Sequence, residues 1–150
     1  MWPETHEQVN LELALLRRLM DFHRPMLEKA RSAELEPHEL SSLAACLHSF
    51  YSGIENIFKQ IARDIDGSVP SGMFSHSDLL TVMARPTSSR SAVISEELLE
   101  TLDAYLDFRH VFRHAYTFDL KWRKMADLVL HCEETLDRLQ TELEAFLATD

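Results

Sequence analysis

Only three glycines punctuate the 150 residues of this chain. A hairpin-rich β fold, a Rossmann turn and a P-loop each need glycine where the backbone turns tightly or approaches a phosphate, so this scarcity argues against all three. It favours long uninterrupted helices instead, because glycine weakens a helix interior. The apolar pattern agrees. Leu43, Leu47, Tyr51, Ile54, Phe58, Ile61 and Ile65 recur at intervals of three or four, the spacing of one helical face. The length suits one domain with a substantial core, taken as residues 1–150.

A first helix is expected from Thr5, where Thr5 and Gln8 have capping-box spacing, through Leu13, Leu16, Met20 and Leu27 to Ala30. A second begins near Pro37, which suits a first helical turn, and ends at Asp66-Gly67. Ser77–Ala84 reads as a short helix closed before Pro86, and Thr87–Ser91 as a polar, mobile loop. Ser95 with two glutamates after it starts a helix that runs at least to His114. Asp119 is expected to cap a last helix carrying Met125, Leu128, Cys132, Leu136, Leu139, Leu143 and Phe146. The expected architecture is all-α, an antiparallel bundle of four long helices plus one short one.

Cys46 and Cys132 fall among apolar helical positions and form no CxxC or metal-ligand spacing, so they read as buried free thiols. No apolar run approaches transmembrane length, and the N-terminal residues lack the pattern of a signal peptide. A reducing cytoplasm, with no membrane partner, is the expected setting.

Leu98, Leu102, Leu106, Arg109, Arg113 and Tyr116 are separated by 4, 4, 3, 4 and 3 residues. At about 100° per residue they form one stripe along the helix that starts near Ser95. Three leucines bury its first half, and two arginines and a tyrosine then stand where core residues belong. Arginine is rarely buried without a partner, so the stripe must end in a cleft, an interface or an ion pair. His110 and His114, one turn apart, sit beside the arginines. The chain carries a net charge of −10, yet the stretch 109–124 holds five Lys or Arg against the single Asp119. An anionic ligand is therefore expected here and nowhere else.

Arginine grips phosphate through a planar fork, and histidine titrates near neutral pH. The set suits phosphodiester cleavage by a ribose 2′-hydroxyl, with one group taking a proton and another giving one, and needs no metal. The alternative is a salt-bridged helix end against an acidic neighbour. Arg18 and His23 repeat the arginine–histidine interval in the first helix, so spacing alone is weak; only the second copy lies in a basic segment.

Arg109-His-Val-Phe-Arg-His114-Ala-Tyr116 matches R-x4-H-x-Y and resembles the active-site motif of the HEPN ribonucleases, in the extended form of their HepT-like toxin branch. The segment from His48 to Lys59 is similar to the second helix of those toxins, and Met73–Leu80 to the short segment that follows it. The resemblance runs from about Leu43 to the end of the chain. It implies a metal-independent endoribonuclease, without cofactor, whose cleft forms between the protomers of a homodimer or higher oligomer. It also implies an RNA substrate, with transfer RNA as one candidate, and a nucleotidyltransferase antitoxin as partner.

On the matching positions Arg109 would hold the scissile phosphate and His114 would act as acid or base. His110 stands where the family commonly has asparagine, which leaves its role open between substrate contact and helper imidazole. Tyr116 matches the tyrosine that the antitoxin modifies with AMP. It lies seven residues after Arg109, about 10 Å along a continuing helix on the same side. Glu55, at the edge of the second helix's apolar face, is expected to pair with Arg109 or Arg113, or else to be solvated. His76 is expected in a loop or cap. His110 and His114 could in principle share a zinc ion, but no third ligand stands near them in sequence. Lys121, Arg123 and Lys124 could extend an RNA path. The rival reading of the whole chain is a non-catalytic accessory subunit of a nucleotidyltransferase, built on the same fold.

Overall fold

The computed structural model describes residues 2–149, apart from the Thr117 side chain. Its first helix, α1 (Pro3–Lys29), begins ahead of the expected start. Pro3 presets a helical φ in the first turn, and Thr5 is therefore inside the helix. The Thr5 hydroxyl, buried, donates to Asp64 Oδ2 at 2.8 Å instead of capping its own helix. The second helix, α2 (Pro37–Ile61), starts where Pro37 suggested. It is capped reciprocally by Glu36 and Glu39, and the Glu36 N–H donates to Glu39 Oε1 at 2.8 Å. One wide turn, Ala62–Asp66, extends it, and Gly67 at φ 83° ends it.

α2 is the centre of the bundle. Phe50, Ile54, Phe58 and Ile61 are fully buried, as are Leu43 and Cys46 on its first half. Each large apolar side chain so buried contributes about 1.5–3 kcal/mol. Gly53 allows α1 to approach closely, because a Cβ there would meet Leu16 Cδ2 at 2.6 Å.

The short helix α3 (Ser75–Met83) and the long α4 (Glu96–His114) follow as expected within two residues. The loop between them is not the loose polar segment its composition suggested. Arg90 is buried, and its fork meets Asp66 at 2.7 and 2.9 Å. Its remaining N–H groups donate to the carbonyls of Arg85, Ser91 and Val82.

The expected last helix is broken in two, α5 (Trp122–Leu130) and α6 (Cys132–Thr149), at His131. The Tyr105 hydroxyl of α4 donates to the Leu128 carbonyl at 2.7 Å, an acceptor that an unbroken helix would pair with the Cys132 N–H. Asp119 does not cap α5; it closes the single turn Thr117–Asp119, and Lys121 occupies the capping position.

α1 runs antiparallel to α2 and to α6. Thr5 meets Asp64 and Glu12 meets Asn56 across α1 and α2, while Arg17 meets Asp137 and Arg24 meets Glu133 across α1 and α6. The architecture is the expected all-α bundle, with six α-helices in place of five and no strand among the described residues beyond one bridge, Thr87 to Arg90. Both cysteines are buried and free, and burial pushes the Cys46 thiol up to about 12. Among the described residues no helix is long and apolar enough to cross a membrane.

Candidate active site

The stripe on α4 keeps its register to the end of the helix. The Ser95 hydroxyl accepts from the Leu98 N–H and starts the helix. Leu98, Leu102 and Leu106 are buried; Arg109, one turn on, is half-buried, and Arg113 is exposed. A cleft of about 340 Å³ opens where the leucines end. Asp103, Asp107, Arg109, His110 and Arg113 of α4 line one side, and Met73, Phe74, His76 and Ser77 line the other.

Within this cleft Arg109 is short of a partner. Its Nε is buried and makes no hydrogen bond. Among the described residues no carboxylate forms a salt bridge with Arg109 or Arg113, so the helix end is not an ion-paired arrangement. A buried donor without an acceptor is costly, and His6 Nε2 on α1, away from the cleft, is a second such atom.

Glu55 does not pair with either arginine. It is buried on α2, its Oε2 lies 2.8 Å from His76 Nδ1, and its Oε1 lies 3.4 Å from Lys59 Nζ. The first turn of α3 crosses α2 and delivers His76 to this carboxylate, so His76 is neither a loop residue nor a cap.

His48 of α2 stands beside the arginines from below. Burial first, then the charges of Arg109 and Arg113, hold its imidazole below the ordinary histidine value. Its ring packs on Phe112 at 5.5 Å. Buried Tyr51 lies within electrostatic reach of Glu55, Asp103 and Arg109; burial dominates and pushes its phenol up. Burial and Asp107 together raise the Asp103 carboxyl.

The other motif residues part company here. His114 is exposed and is the last residue of α4. Its ring meets His110 edge to face at 4.8 Å, and it does not line the cleft that holds Arg109. Tyr116 is not on the stripe at all. The helix ends at His114, Ala115 is extended, and Tyr116 lies 71% exposed with its ring stacked on Phe118 at 5.3 Å. Lys121, Arg123 and Lys124 border a second groove between α4 and α5, where Asp107 is the residue shared with the first. No three His, Cys, Asp or Glu side chains gather as a metal site among the described residues. The decoy pair stands elsewhere, with Arg18 exposed on α1 and His23 edge-on to Phe22.

His48, Asp103 and Asp107 went unmarked as site residues in the sequence, and His76 was misplaced. For the two histidines a signal existed, since both fall in the segments that carry the family resemblance.

No curated protein and no solved structure matches the chain. A family described as HepT-like protein does, over residues 42–149. That span runs from within α2 to the end of α6 and takes in every residue of the cleft. The chain therefore belongs to the HepT-like family, and its helical bundle is of HEPN type.

Proposed function

We propose that this protein is a metal-independent endoribonuclease toxin whose Arg109 cleft binds the RNA backbone at the bond to be cut. The observation that carries the reading is Arg109, which has no salt bridge among the described residues and lines a cleft together with His76, His110 and Arg113. A phosphate oxygen is an acceptor that a guanidinium without a carboxylate partner can take. The ribose 2′-hydroxyl supplies the nucleophile, and histidines supply proton transfer.

His114 serves as a proton carrier, and a second copy of the chain is needed to bring it into play. Within one chain His114 stands outside the cleft that Arg109 lines. Two copies related by a two-fold axis would each lay a His114 over the other's Arg109. Exposed Val111, Tyr116 and Phe118, and Met73 and Phe74 at the cleft, supply apolar surface for that contact. Tyr116 is accessible enough to be the site at which a nucleotidyltransferase antitoxin attaches AMP, a bulky anion beside a basic segment.

The net charge of −10 favours the rival, an accessory subunit that binds without cutting. Incubation of a mixed RNA pool with the wild type and with His114→Ala, chelator present, separates the two. Wild-type products ending in a cyclic phosphate or its hydrolysed form, absent from the variant, are expected. No cleavage, or cleavage only with a divalent metal, would overturn the reading. Light scattering should find at least a dimer at micromolar concentration; a stable monomer would remove the composite site.

A further inference from the structure

One imidazole in the cleft is oriented by a buried carboxylate, and it lies outside the R-x4-H motif. His76 Nδ1 is 2.8 Å from Glu55 Oε2, and Glu55 is 3% exposed. A carboxylate can only accept, so Nδ1 carries a hydrogen and Nε2 is the ring nitrogen left to exchange a proton. The carboxylate fixes the orientation of the ring, the arrangement by which an acid positions an imidazole for proton transfer. The His76 side chain is 39% exposed, and the residue lines the same cleft as Arg109. No other imidazole in the region combines these properties. His48, His110 and His114 have no carboxylate partner among the described residues. His131, which does pair with Glu134, is exposed at the break between α5 and α6.

We infer that His76, oriented by Glu55, is the group that takes the proton from the ribose 2′-hydroxyl; the inference rests on the ribonuclease reading above. As the 2′-oxygen bonds to phosphorus, its proton passes to His76 Nε2. The bond from phosphorus to the 5′-oxygen breaks, and its electron pair stays on that oxygen. The 5′-oxygen then takes a proton from a second imidazole, His114 in the arrangement proposed. The product is a 2′,3′-cyclic phosphate, and Arg109 holds the non-bridging oxygens throughout. Glu55 is a positioning residue and does not touch RNA.

A purely structural role, pinning α3 to α2, makes a different prediction about pH. The groups facing His76 are Glu55 and Lys59 from α2, and Asp103, Asp107, Arg109, His110 and Arg113 from α4. Only Glu55 bonds to it directly among the described residues. If His76 is the base, cleavage rises with pH as its ring loses a proton, and Glu55 sets where that limb falls.

The test measures cleavage of a mixed RNA pool from about pH 5 to about pH 9 by the full chain, with histidine titrations followed by NMR. Glu55→Gln keeps an acceptor for Nδ1 but removes the charge. It should move the acidic limb of the cleavage profile to lower pH, a readout that a purely structural role would leave in place. His76→Gln should lower cleavage roughly 100-fold and abolish that limb, with helical content unchanged. Imidazole added to His76→Gly should restore part of the rate. Wild-type cleavage that depends on His114 while His76→Gln stays within about threefold, limb intact, would overturn this inference alone. A wild type that cuts no RNA would remove it together with the proposed function.

Discussion

Replacing Asp66 by asparagine should destabilise this protein without touching its cleft residues. Asp66 closes the turn after α2, and Arg90 lies 24 residues on, beyond α3. The guanidinium has no exposed surface, and the aspartate is 11% exposed. Asparagine keeps the shape and one acceptor oxygen, but it leaves a buried cation without its counter-charge. Breaking a buried pair from one side costs about 3–5 kcal/mol. The carbonyls of Val82, Arg85 and Ser91 still receive hydrogen bonds, which places the expected loss at the lower end, about 3 kcal/mol. At about 2–4 °C per kcal/mol for a domain of this size, Tm should fall by about 6–12 °C. Circular dichroism melts of wild type, Asp66→Asn, Arg90→Met and the double variant measure both the loss and the coupling. The double variant should be less destabilised than the two singles added together. A Tm for Asp66→Asn within about 2 °C of wild type would refute the reasoning, since it would mean that the pair contributes no more than a solvated one.

The remaining predictions concern the cleft and its rim. Arg109→Ala should abolish RNA cleavage with helical content intact, whereas Arg18→Ala and His23→Ala should leave it near wild type; equal losses from both pairs would disconnect activity from the cleft. Stability should fall as pH drops below the usual histidine value of 6.5, because unfolded His48 and His23 take up protons there that their depressed folded forms resist. Replacing His48 with Gln should flatten that acid limb in urea titrations, and an unchanged limb would remove His48 from it. Arg113→Ala should raise the His48 titration seen by NMR, since one of the depressing charges is gone. Co-expression with a cognate nucleotidyltransferase should add mass in units of AMP to the wild type and none to Tyr116→Phe, read by intact-mass spectrometry. A wild type neutralised without any added mass would mean control by physical blocking.

The elements that periodicity alone determines were legible, and those decided by a distant partner were not. α2 and α4 carry their apolar residues at helical spacing and start at Pro37 and Ser95, signals contained within each segment. The break at His131 depends on a tyrosine 26 positions earlier in the chain, whose hydroxyl reaches the Leu128 carbonyl, and no local pattern marks it. The loop at Thr87–Ser91 looks loose by composition because burial of Arg90 is a property of Asp66 as much as of the loop.

The same division runs through the site. The stripe from Leu98 to Arg113 is an intrahelical feature that residue spacing alone can draw, yet it fails at Tyr116, where the helix has already ended. Glu55 has the opposite history. Its place on the edge of an apolar face was readable, but its partner was not, because His76 comes from a helix of nine residues whose docking depends on packing against α2. That docking has a chemical consequence. Had Glu55 turned to Arg109, the arginine would have gained a counter-charge. By engaging His76 and Lys59 instead, it leaves Arg109 without a salt bridge among the described residues and orients an imidazole that lines the same cleft. Under the proposed function, a single carboxylate decides both which cation is left for a phosphate and which imidazole is positioned to move a proton. Substituting it should move a pH profile as well as a melting temperature.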